Sequence, residues 1–189
     1  MKDIKTVFTT SIKPKKAVFF ILYDLKKIIP NSTYIKRQNF KIRQIISYLR
    51  VKNMKNLILV TETKQKYLQL IHIDIENNFL VKYDIVSVIL RNCIKNCGEI
   101  SSHMPELLFA NFKGIIDQAL SVMIKKLFDG LPDFKGRQLL SLYKKKNFLF
   151  IRFHRYIFST TGKDVKIQEL GPKITLKFDN FYKLPIFFE

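Results

Sequence analysis

The chain has 189 residues, 47% of them hydrophobic and 13% aromatic, enough to bury a core and to exclude disorder over most of the length. Thirty-four Lys and Arg against fifteen Asp and Glu give a net charge of +19 and a pI near 9.9, a balance suited to nucleic acid or an anionic membrane surface. The longest apolar run, Ala17 to Tyr23, is far too short to cross a bilayer.

Val7 to Ser11 reads as a short strand that Pro14 separates from a helix over about Lys15 to Ile29. In that helix Val18, Ile21, Leu22, Leu25, Ile28 and Ile29 share one face, with Lys15, Lys16, Asp24, Lys26 and Lys27 elsewhere. Pro30 ends it, and Ser32 to Ile35 reads as another strand. Ile42, Ile45, Ile46 and Leu49 then give a second amphipathic helix. Three strand-like runs follow, Asn56 to Thr61, Tyr67 to Ile73 and Phe79 to Leu90, before a turn-rich segment from Arg91 to Ser102. Beyond it the order begins again. Glu106 to Ala110 reads as a strand, and Gly114 to Phe128 as a helix with Ile115, Ile116, Ala119, Leu120, Met123 and Leu127 on one face. Strands are expected at Arg137 to Tyr143, Phe148 to Phe158 and Ile174 to Phe181. The second half lacks a counterpart to the second helix. The pattern predicts an α/β fold of two similar halves, residues 1–98 and 99–189, related by a pseudo-twofold, each a sheet packed with helices.

AT-rich coding can supply lysine without selection for binding, but it would spread the charge evenly. Residues 1–60 carry +12, residues 61–110 carry −1 and residues 111–189 carry +8, which points to a localised footprint. Cys93 and Cys97, at i and i+4, are poorly spaced for a disulfide and are expected as free thiols. Met1 is followed by Lys2, Asp3 and Lys5 with no apolar leader, so a soluble intracellular protein is expected, with the sequon at Asn31 unglycosylated.

Signatures of catalysis are missing from the sequence. Gly130 to Gly136 lacks the spacing and the Lys-Ser/Thr of a phosphate-binding loop. His72, His103 and His154 are scattered, and Cys93, Cys97 and His103 match no usual zinc spacing. Glu62, Asp74, Glu76, Asp84 and Glu99 form no close pair suited to acid-base or two-metal chemistry.

The positive signals suit RNA. Lys13, Lys15 and Lys16 gather at a helix N-terminus, whose free backbone N–H groups also attract phosphate. Lys144, Lys145 and Lys146 occupy a hairpin turn. In Leu149 to Tyr156, apolar residues interleave with Arg152, His154 and Arg155, combining charge with rings able to stack on bases. Phe148, Phe150 and Phe153 are readable either as core or as stacking platforms; alternation makes Arg152 and His154 the outward pair.

From Arg137 onward the wording becomes specific. Gly136-Arg-Gln138, Phe148 to Phe158 and Gln168 to Lys177 closely resemble the C-terminal half of Brix-domain proteins. Thr9-Thr-Ser11, Pro30-Asn-Ser32, Leu57 to Glu62 and Pro105 to Phe112 continue the resemblance through the first half. It implies two halves related to anticodon-binding domains, no enzymatic activity and no cofactor or metal. It also implies a nucleolar factor that binds precursor rRNA during assembly of the large (60S) ribosomal subunit. Other assembly factors are implied as partners, among them a maintenance-of-killer-type factor in a heterodimer. The alternative is a protein-interaction scaffold whose partner supplies the RNA contacts.

Gly171 to Lys177 matches the family's sigma-70-like motif, so the resemblance gives Lys173, Thr175 and Lys177 an RNA-facing role beside Arg137. Lys173 stands where the family usually has Arg, keeping the charge but not the planar two-pronged grip. The long basic N-terminal extension of the family is not part of this sequence, so the domain's own charge is expected to carry more of the binding.

Overall fold

The computed structural model describes residues 5–63, 65, 67–159 and 164–184. The chain falls into two compact units, residues 1–85 with 177–189 and residues 86–176.

In the first unit, β1 (Thr6–Thr10), α1 (Lys16–Ile28), β2 (Ser32–Tyr34), α2 (Ile42–Val51), β3 (Asn56–Glu62), β4 (Leu68–Asp74) and β5 (Phe79–Ile89) follow in chain order. β1 lies between β2 and β3 and is parallel to both, while β4 and β5 add antiparallel strands beyond β3. The later part of β10 (Lys173–Lys183) closes this unit against β5, with Phe79 and Phe181 ring centroids 5.1 Å apart. β1 is buried along its whole length, as are Asn56 to Val60 of β3, because helices cover both faces of these central strands. Ile45, Ile46 and Leu49 of α2 pack with Val7, Leu57 and Ile73 on one face. The alternate residues Phe8, Ile58 and Val60 are also buried and point to the side of α1, whose Val18, Ile21, Leu22, Leu25 and Ile28 are buried. Asp24, expected off that stripe, is buried with them.

The second unit contains the end of β5, a 3-10 turn (Arg91–Cys93), β6 (Glu106–Ala110), α3 (Ile115–Lys125), β7 (Gln138–Lys145), β8 (Phe148–Phe158), β9 (Val165–Glu169) and the start of β10. β6 is parallel to β7, β7 antiparallel to β8, and β9 pairs antiparallel with the far end of β8. One strand differs from expectation. β9 is a strand the sequence pattern did not mark, because all its residues but Glu169 are exposed and no buried face imposes a period. Cys93 lies in the 3-10 turn and Cys97 in the loop after it, with both thiols free. The compact units divide at 85/86, and the first includes residues 177–189.

The largest difference is the rotation of α3. Ile115 and Ile116, expected in the core, are 88% and 52% exposed, while Asp117 is buried beside Leu120, Met123 and Ile124. Asp117 is the cause. Its carboxylate accepts the backbone N–H groups of Lys113 and Gly114 at the helix start, both at 3.2 Å, and pairs with Lys144 of β7. Those bonds turn its face of the helix toward the sheet and the two isoleucines away from it.

Candidate nucleic-acid interface

The alternation of β7 and β8 sorts the second unit into two unlike faces. Leu140, Leu142, Leu149 and Phe153 are buried on one, where Lys144 reaches Asp117 of α3. Ile174 and Leu176 of β10 are buried as well, so its alternate residues, Lys173 and Thr175, share the other face. Among the described residues of this unit no second α-helix covers that other face. It carries Leu108 of β6; Leu139, Ser141, Tyr143 and Lys145 of β7; and Phe148, Phe150, Arg152, His154, Tyr156 and Phe158 of β8. None of these residues is buried.

Aromatic and basic groups alternate across this open face. Tyr143 and Phe150 are cross-strand partners with ring centroids 5.9 Å apart, and the Arg152 guanidinium lies 5.8 Å from the Phe150 centroid. Tyr156 and Phe158 follow along β8 with centroids 5.6 Å apart. Arg152 is anchored by donating through one terminal nitrogen to the carbonyls of Ile151 and Ile174, at 2.8 and 2.9 Å. Its other nitrogens have no acceptor among the described residues, leaving a fixed guanidinium edge for a phosphate or a base. Burial lowers the Arg152 pKa, and Glu169 opposes that shift.

Glu169 organises the charges at one side. Its Oε1 accepts from Lys173 Nζ at 3.0 Å and lies 3.2 Å from His154 Nε2. Burial alone would raise the Glu169 carboxyl, but hydrogen bonds from Lys173 and His154 outweigh it and hold the group below its ordinary value. Its Oε2 is buried with no hydrogen-bond partner among the described residues. Tyr156 donates to Glu106, a bond that, with partial burial, raises its phenol pKa. Among the described residues no group of three or more His, Cys, Asp or Glu is placed to hold a metal ion.

The structure therefore separates the residues that the sequence grouped. Lys145, Arg152, His154, Lys173 and Thr175 share the open face, and Arg137, exposed, stands beside Tyr156, whose backbone N–H donates to its carbonyl at 3.0 Å. Lys144 and Arg155 point the other way: Lys144 is held by Asp117, and Arg155 donates to the Glu99 carbonyl at 2.8 Å. Lys13, Lys15, Lys16 and Lys177 belong to the first unit, all exposed, with Lys15 paired to Glu62.

Three residues have positioning roles that the sequence reading did not assign. Arg91 donates to the carbonyls of Leu170 and Gly98, both at 2.7 Å, which ties down the segment carrying Glu169 and Lys173. Gly171 in that segment has φ of 53°, and a Cβ there would collide with Ile94, so the tight entry into β10 requires glycine. Gln138, 1% exposed, accepts from Ser101 N–H at 2.9 Å and donates to the His103 carbonyl at 2.9 Å, securing the loop before β6. The Arg91–Leu170 and Gln138–Ser101 contacts join residues 79 and 37 apart, beyond the reach of a local pattern.

Comparison with known proteins agrees with this architecture. Ribosome production factor 1 of Saccharomyces cerevisiae is 30% identical over 174 residues, covering 92% of this chain and 59% of the relative. Its Pongo abelii namesake is 33% identical over 180 residues, covering 95% and 51%. The chain thus spans between half and three fifths of the length of these curated relatives. Among solved structures, a probable ribosomal biogenesis protein from Aeropyrum pernix shares the fold, with TM-score 0.64 at 14% identity over 92% of this chain and 95% of that one. An archaeal Imp4-like protein matches with TM-score 0.53 at 13% identity, over 94% and 99%. The sequence model of the Brix domain matches residues 11–180, and with this coverage the chain belongs to the Brix-domain family.

Proposed function

We propose that this protein is a non-enzymatic ribosome-assembly factor that binds precursor rRNA of the large subunit, in the nucleolus, through the open sheet face of its second unit. The observation that carries the reading is that uncovered face, on which Tyr143, Phe150 and Tyr156 alternate with Lys145, Arg152, His154 and Lys173. Rings lying on an open sheet offer sequence-tolerant stacking to unpaired bases, and the cations hold the backbone. Relatives named ribosome production factor 1 support the ribosomal setting. Lys13, Lys16 and Lys177 extend the basic surface of the first unit for further phosphate contacts. The repeated-half organisation belongs to this proposal, as does a maintenance-of-killer-type factor as heterodimer partner.

Titration of the purified protein with fragments of large-subunit precursor RNA at rising salt tests the reading. Log affinity is expected to fall linearly with log salt, by roughly 0.7 to 0.9 per phosphate contacted. Binding insensitive to salt would contradict it.

A further inference from the structure

The helix α1 presents a second surface that its own core does not explain. Its buried stripe faces the sheet, yet Phe19, Phe20 and Tyr23 on other sides are 44%, 55% and 60% exposed. Lys16, Phe20, Tyr23 and Lys27 recur at i, i+4, i+7 and i+11, which aligns them along one ridge with Lys26 and Phe19 beside it. The only carboxylate on the helix, Asp24, is buried, and the exposed Lys13 stands before its start. The result is an apolar aromatic ridge whose exposed charged neighbours on the helix itself, Lys16, Lys26 and Lys27, are all ammonium groups.

We infer that this ridge docks an acidic amphipathic helix of a partner protein. A helix whose apolar residues repeat at i, i+3 or i+4 and i+7 would pack against the ridge, and its flanking Asp and Glu would meet Lys16, Lys26 and Lys27. The ring geometry favours protein over RNA. The Lys27 ammonium already sits 4.5 Å over the Tyr23 ring, and Phe19 is engaged edge-on with Tyr34 at 6.1 Å and 74°. Rings one turn apart on a convex helix splay outward and suit the grooves of a facing helix, whereas successive bases stack on a flat platform such as an open sheet. The inference does not depend on RNA binding by the second unit.

The test uses the full chain and a fluorescent peptide of about three heptads with Leu at the a and d positions and Glu at most others. A peptide of the same composition with the order shuffled, and an oligouridine of matching charge, serve as the other arms. The striped peptide is expected to bind at least about tenfold more tightly than the shuffled one. Phe20→Gln with Tyr23→Gln, both at the surface, is expected to weaken striped-peptide binding at least about tenfold while thermal stability and oligouridine affinity hold. Equal binding of the two peptides, no binding of either, or an undiminished affinity in the double variant would overturn the inference. So would a loss confined to oligouridine, which would make the ridge an RNA contact.

Discussion

Lys145→Ala combined with Lys173→Ala is expected to weaken binding of a large-subunit precursor RNA fragment by about tenfold or more at low salt. Both side chains stand on the open face of the second unit, Lys145 exposed at the end of β7 and Lys173 half-buried at the start of β10. Each phosphate contact removed should also lower the slope of log affinity against log salt by roughly 0.7 to 0.9. The double variant should therefore bind more weakly and depend less on salt. Neither lysine lies in the core, and Glu169 keeps its contact with His154, so folding should be retained. Phe150→Ala supplies the contrast. A stacking ring contributes on the order of 1 to 3 kcal/mol per base without releasing counterions, so its loss should lower affinity and leave the slope unchanged. An equal change of slope in both variants would remove the division of labour between rings and lysines.

Asp117→Ala should destabilise the second unit strongly, costing about 3 to 5 kcal/mol of stability in chemical denaturation. Side-chain exposures of 11% for Asp117 and 19% for Lys144 place the pair out of water, and the substitution strands the Lys144 ammonium there. It also removes the acceptor for the N–H groups of Lys113 and Gly114. The pH dependence has a definite sign. Burial would raise the Asp117 carboxyl, but hydrogen bonds from Lys144 and the two backbone N–H groups, with the lysine charge, hold it below its ordinary value. A carboxyl depressed in the folded state binds fewer protons there than in the unfolded chain. Its stabilisation is complete above the ordinary carboxylate pKa and disappears as pH falls through the lower folded value. Wild-type stability should thus fall below that ordinary value, and Asp117→Ala should flatten part of the fall. A variant as stable as wild type at neutral pH would show that the pair does not hold α3.

Much of this arrangement is legible in the sequence, for reasons that particular residues make plain. The stripes of α1 and α2 are long enough for the helical period to place Val18, Ile21, Leu22 and Leu25, and Ile45, Ile46 and Leu49, in the core. β8 runs from Phe148 to Phe158, as its composition indicates, and its period of two puts Arg152 and His154 on one face. Alternation also divides the ambiguous rings, with Phe153 buried and Phe148 and Phe150 on the open side. What eluded the sequence depends on partners far along the chain. The rotation of α3 is set by Lys144, 27 residues from Asp117. Arg91 acts on Leu170, 79 residues away. The same distance effect divides the lysine cluster, because adjacent strand residues face opposite ways: Lys144 turns to the helix and Lys145 to the open face.

The central claim, that precursor rRNA lies on the open face of the second unit, is tested most directly by ultraviolet cross-linking of the purified protein to large-subunit precursor RNA, with the modified residues identified by mass spectrometry. Cross-links are predicted at Tyr143, Phe150 and Tyr156 and on neighbouring residues of β7, β8 and β10. Cross-links confined to α3 or to the first unit, with that face unmodified, would contradict it.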